Sequence, residues 1–113
     1  MLNAVVYTSN TGFTKQYAEL IGKRLSLPVY ELNTAMKSLP ENSDIVYLGW
    51  IMATSIQGLK KASKRFLISA ICGVGMGVTG TQIPELRKAN AINDIIPVFS
   101  LQGGLDDAGL KGT

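Results

Sequence analysis

Short apolar runs recur along this chain without alternating polar positions, and helix-patterned segments lie between them. The runs are LNAVVYT (2–8), LPVYEL (27–32), DIVYLGW (44–50), FLISAICGV (66–74) and IIPVFSLQG (95–103). A strand that is apolar on both faces must be covered on both, which is characteristic of parallel sheets. Between the runs, residues 12–26 predict a helix, with Tyr17, Ala18, Ile21 and Leu25 on one face and Lys15, Glu19, Lys23 and Arg24 largely opposite. Shorter helices are predicted over 55–65 and 81–92, the latter with Pro84 in its first turn, where a missing N–H costs nothing. NTAMKSLPENS reads as a loop with room for one helical turn. The resulting order, β-α-β-(turn)-β-α-β-α-β, with right-handed crossovers, gives a doubly wound α/β sandwich in a single domain, 1–113.

Composition narrows the chemistry. With 46% hydrophobic and 17% charged residues, the chain has neither the low hydrophobicity nor the high charge of a disordered segment. Its longest apolar stretches are broken by serine and glycine and fall short of a membrane span, and no basic segment precedes an apolar one at the N-terminus. A cytoplasmic protein is the expectation. Histidine is absent, which removes the commonest general base, Ser-His triads and histidine-ligated metals. The lone cysteine, Cys72, falls inside a predicted strand and reads as an inert core residue. The net charge of +3 is densest in KKASKR, where Lys60, Lys61, Lys64 and Arg65 form a solvated helical stripe; no aromatic residue interleaves for base stacking, so no nucleic-acid partner is expected. Asp106 and Asp107 are adjacent, a poor arrangement for a metal ion, and read as a solvated turn or the first turn of a helix.

In open parallel sheets, ligands bind beyond the carboxyl ends of the strands, at the point where strand order reverses. Three loops are predicted there: 8–14, 50–55 and 73–80. The first, TSNTGFT, holds four hydroxyl side chains and a glycine, and no cation. It delivers the chain to a helix N-terminus, whose unpaired N–H groups and positive dipole end accept an anion unaided. A helix cap needs one hydroxyl, not four. A phosphate dianion with three oxygens is satisfied by the hydroxyls of Ser9, Thr11 and Thr14 alone. Neither the P-loop pattern nor a dinucleotide fingerprint is present after this strand.

At SNTGFT (9–14) the sequence resembles the flavodoxin family, whose fingerprint [TS]-x-T-G-x-T it matches at every defined position. Flavodoxin is itself a standard illustration of ligand binding at such a switch point. The resemblance implies a flavodoxin-like five-stranded parallel sheet in an α/β/α sandwich, strand order 2-1-3-4-5, and bound flavin mononucleotide (FMN). It implies that Ser9, Asn10, Thr11, Gly12, Phe13 and Thr14 hold the FMN phosphate. The second loop, GWIMATS, would lie along the ring through Gly49, Trp50, Ile51, Met52, Ala53 and Thr54. The third, through Val74, Gly75, Met76 and Gly77, would pack on the other side, with Met76 where many relatives place an aromatic. Gly75, Gly77 and Gly80 also spell G-x-G-x-x-G, a rival nicotinamide-cofactor reading, but Asp94 precedes the next strand where an acidic residue should end it.

The chain departs from the family in two respects. It is mildly basic, whereas electron-shuttling flavodoxins are usually acidic. Only about ten residues follow FSLQ, so the last helix of the sandwich is missing, through truncation of the chain or replacement by a second subunit in a homodimer. The expected function is electron transfer through FMN to a redox partner protein or a small-molecule acceptor, with no side chain acting as acid or base. Two alternatives stay open: an FMN-dependent oxidoreductase resembling protoporphyrinogen dehydrogenase, and a non-redox binding domain that keeps the fold.

Overall fold

The computed structural model describes residues 1–10, 12–52, 54–75 and 83–102, the side chain of Gln102 excepted. Strand β1 (Ala4–Thr8) lies between β2 (Val29–Glu31) and β3 (Asp44–Met52), parallel to both. Strand β5 (Leu67–Gly75) adds in parallel to β3, and β6 (Val98–Gln102) in parallel to β5, giving the order β2-β1-β3-β5-β6. The expected α/β class with a parallel sheet is what the chain adopts.

Helices cover the sheet on both sides. Tyr17 and Ala18 of α1 (Phe13–Leu25) pack with Val5, Val46, Leu48, Cys72 and Val74. On the opposite face, α2 (Leu32–Ser38), α3 (Leu59–Arg65) and α4 (Ile83–Ala89) bring Leu32, Ala35, Leu59, Ala62 and Leu86 against Val6, Ile45, Tyr47, Ile71 and Val98. Alternate residues of one strand therefore serve different cores, which is why these strands read as unbroken apolar runs. Among the described residues no helix is long and apolar enough to cross a membrane.

Three local expectations need correction. Residues 32–38 form a helix in place of a loop: Leu32, Ala35, Met36 and Leu39 recur at helical spacing against the core, and the Glu31 carboxylate accepts the Asn33 N–H at 2.9 Å as an N-cap. The helix predicted over 55–65 starts only at Leu59, because β4 (Ser55–Ile56) turns back antiparallel to β3 and adds an unforeseen two-residue strand. Arg65 does not belong to a solvated stripe. Its Nη2 donates to Leu39 O at 2.9 Å, its Nη1 lies 4.0 Å from Glu41 Oε1, and its guanidinium sits 5.7 Å from the Phe66 ring centre. Lys60, Lys61 and Lys64 are exposed as expected. The expected missing helix and the Asp106–Asp107 turn lie outside the described residues.

Helix α1 stops at Ser26, which takes a left-handed conformation (φ 57°) while Leu27 N–H donates to Gly22 O at 2.9 Å. That closure favours glycine, since a Cβ costs energy there. Ser26 is exposed, so Ser26→Gly is expected to raise stability by about 0.5–1 kcal/mol, read from denaturant midpoints.

Cys72 is 5% exposed between β3 and β6, and burial pushes its thiol up to about 12. In the unfolded chain the thiol ionises near 9.0, so above that pH the unfolded state holds fewer protons and stability falls until the folded thiol titrates near 12. The native thiol should resist a thiol-specific reagent below about pH 9, and Cys72→Ala should flatten the alkaline loss of stability.

Candidate functional site

Register brings the three unusual loops to one edge of the sheet. Thr8 pairs with Gly49, Gly49 with Gly73, Trp50 with Val74, and Gly73 with Ser100, so β1, β3, β5 and β6 all end on one side, β1 opposite Gly49 and β3 running on to Met52. Parallel pairing makes this unavoidable, because every strand then runs its carboxyl end to the same side.

The first loop enters α1 through Gly12, at φ 96°, a conformation L-residues rarely take, and a Cβ there would meet nothing within 4 Å. Ser9 Oγ accepts the Gly12 N–H at 3.0 Å. That serine keeps its own hydroxyl proton to donate. The helix itself has no side-chain cap and no acidic residue in its first turn. Thr14, in that first turn, is 2% exposed, and its hydroxyl makes no hydrogen bond among the described residues. Phe13 is half-buried on the α1 side, and Asn10 is exposed. The loop thus offers an open backbone end and hydroxyls that are not spent on capping. Thr11 lies outside the described residues.

The second loop is a hairpin built on β3 and β4. Trp50 and Ile51 are half-buried, Met52 is 53% exposed, and Thr54 is held at φ 68°. Ile51 turns inward: its side chain lies across Gly73 and Gly75, where a Cβ on either would come within 2.9 and 3.3 Å of Ile51 Cδ1. Two glycines of the third loop are therefore accounted for by packing against Ile51. Val74 packs on the α1 side of the sheet, and Trp50 is its register partner in β3. Ala53, Met76, Gly77 and Gly80 lie outside the described residues.

A residue that sequence reasoning missed joins the first two loops. Tyr47 is fully buried in β3, and its hydroxyl donates to Gln57 O at 2.7 Å. Thr8 Oγ1 lies 2.7 Å from the same hydroxyl. A tyrosine has one proton, and a carbonyl can only accept, so the Thr8 hydroxyl is the donor of the second bond. Burial raises the Tyr47 pKa above the ordinary phenol value; the Thr8 hydrogen bond opposes that shift, and the Glu31 charge adds to it. This phenol is a permanent, neutral tie. Gly58, at φ 81°, lets the chain pass directly over it. The available signal was Gly58 itself, a glycine inside a segment read as helix.

No family model, curated protein or solved structure gave a match to the chain.

Proposed function

We propose that the chain is a flavodoxin-like, FMN-binding electron-transfer protein, with the flavin phosphate at residues 9–14. One observation carries the reading: the hydroxyl-rich loop opens α1 through a left-handed Gly12 with free space above it, and among the described residues no side chain caps the helix. Two of its hydroxyls serve local structure, Thr8 toward Tyr47 and Ser9 toward the Gly12 N–H, but neither caps α1. An anion at this position meets the N–H groups of the first turn, the positive dipole end, and the Ser9 and Thr14 hydroxyls. No lysine or arginine falls between residues 8 and 14, so neutral donors do the binding.

The strand path β2-β1-β3-β5-β6, with β4 a side branch of β3, is compatible with the flavodoxin-like sandwich and puts the reversal of strand order at β1 and β3. The phosphate loop follows β1 and the Trp50 hairpin extends β3, so a ligand held at one is flanked by the other. Trp50 supplies an aromatic face and Met52 an exposed apolar side chain. When bound, FMN supplies the redox chemistry. The protein's share is to hold the phosphate, shelter the ring between 50–54 and 74–77, and present it to an acceptor. The mild positive charge suits an acidic partner protein or an anionic small molecule.

Titration of the purified protein with FMN tests this. The expected result is saturable one-to-one binding, with quenching of flavin fluorescence and of Trp50, the only tryptophan. Colourless protein that leaves FMN fluorescence untouched refutes the reading and points to the non-redox binding domain. Turnover of a porphyrinogen or quinone by flavin-loaded protein would favour the oxidoreductase alternative over the carrier.

A further inference from the structure

Asn90 follows α4 and is half-buried. Its Oδ1 accepts the Ile56 N–H at 2.9 Å. Its Nδ2 donates to Thr54 O at 2.8 Å and to Leu86 O at 2.9 Å, while its backbone N–H also reaches Leu86 O at 3.1 Å. Both amide protons and the carbonyl of the side chain are therefore used, and two carbonyls opposite one N–H leave a single consistent orientation for the amide. One amide proton is anchored in its own helix; the other proton and the carbonyl hold Thr54, in the turn after β3, and Ile56 of β4.

That turn carries Thr54 at φ 68°, a conformation a β-branched residue does not hold without outside support. Ile56 is 3% exposed, so its N–H has no ready access to water if Asn90 is removed. The helix that presents Asn90 begins at Ile83, directly after the stretch that includes the third loop. Asn90 thus mechanically links the second loop to the helix that follows the third.

We propose that Asn90 is a positioning residue: by pinning Thr54 and Ile56 to α4 it fixes the hairpin wall that Trp50, Met52 and Thr54 present to the ligand, and couples that wall to the helix after the third loop. The role toward flavin rests on the FMN reading; the pin does not. No other standard side chain makes this set of bonds. Aspartate keeps an acceptor for Ile56 N–H but sets a carboxylate against two carbonyls, and alanine supplies neither partner.

Hydrogen exchange on flavin-free Asn90→Ala and Asn90→Asp tests the pin. In Asn90→Ala the Ile56 amide is expected to exchange at least about tenfold faster, with the amides of Val6 and Tyr47 unchanged. Asn90→Asp, which keeps the Ile56 acceptor and serves if the alanine variant fails to fold, should protect Ile56 better than alanine does. FMN should bind Asn90→Ala about tenfold more weakly, ~1.4 kcal/mol, and the midpoint potential of the bound flavin should shift from the wild-type value in both variants. A general loss of stability would not move that potential. Unchanged Ile56 exchange in both variants overturns the pin. Faster exchange with wild-type affinity and potential overturns the positioning role. Wild-type protein that takes up no FMN overturns the flavin reading itself, and the exchange data, collected without flavin, then decide the pin alone.

Discussion

Gly58→Ala is expected to lower stability by roughly 3–5 kcal/mol, a large part of what holds a domain of this size folded. Gly58 sits at φ 81°, where an L-residue pays about 1–2 kcal/mol. The added Cβ would also collide with the Tyr47 hydroxyl, lie 2.6 Å from Thr8 Oγ1 and 3.0 Å from Leu32 Cδ2. Neither oxygen is the free end of a mobile chain: both are held in the Thr8–Tyr47–Gln57 network. To make room, the network must open, and each buried polar group left unpaired costs about 1–3 kcal/mol. The mechanism has a signature in a double-mutant cycle. Tyr47→Phe removes the oxygen that the new methyl strikes, so Gly58→Ala should cost about 1 kcal/mol or more less in that background than in wild type. Urea denaturation of the four proteins measures this, and strictly additive losses would mean that the collision with Tyr47 is not the cause.

On the proposed FMN reading, removing the donors of the first loop should abolish useful FMN binding while leaving the fold intact. In Ser9→Ala with Thr14→Val, the phosphate loses two hydrogen bonds to a charged group, each worth about 1.5–3 kcal/mol. Together that is roughly 3–6 kcal/mol, or a dissociation constant raised between about a hundredfold and ten-thousandfold. Thr14→Val keeps the shape of a side chain that is 2% exposed, so packing of α1 on the sheet should survive. Ser9→Ala also frees the Gly12 N–H, whose partner is Ser9 Oγ, and loosens the turn into the helix. Riboflavin, which lacks the phosphate, is the control: its weaker binding should change little in the double variant. An equal loss for riboflavin and FMN would show that the loop shapes the ring pocket and does not hold the phosphate.

The Tyr47 network and the Asn90 pin bear on the same element from opposite sides. Tyr47 holds the Gln57 carbonyl toward β1, and Asn90 holds Thr54 and Ile56 toward α4. Gly49 completes the seat, since a Cβ there would lie 2.5 Å from Gln57 O and 2.8 Å from Ile56 Cγ2. The hairpin that carries Trp50 is consequently a clamped element on a rigid sheet, and a rigid support is what a site needs to hold a flat ligand in one geometry.

Much of the architecture was legible in the chain because its signals are local. Runs such as DIVYLGW are apolar on both faces and admit only a strand covered twice. The Tyr17–Ala18–Ile21 stripe marks α1, and a loop of hydroxyls between the two marks the helix entrance. Helix α2 was readable too, from Leu32, Ala35, Met36 and Leu39, but the turn-forming residues around them argued for a loop, and packing against the sheet outweighed that preference. Arg65 looked like one more charge in KKASKR, yet the Leu39 carbonyl that holds it lies 26 residues away. The β4 turn, the Thr8–Tyr47–Gln57 tie and the Asn90 pin left no trace in composition or periodicity. The partners in the tie and the pin lie 10, 34, 36 and 39 residues apart along the chain. Hydrophobic pattern and turn chemistry act over a few neighbours and so determined the layers; a hydrogen bond between distant residues exists only once the sheet has aligned its strand ends, so only the folded chain could decide how the candidate site is held.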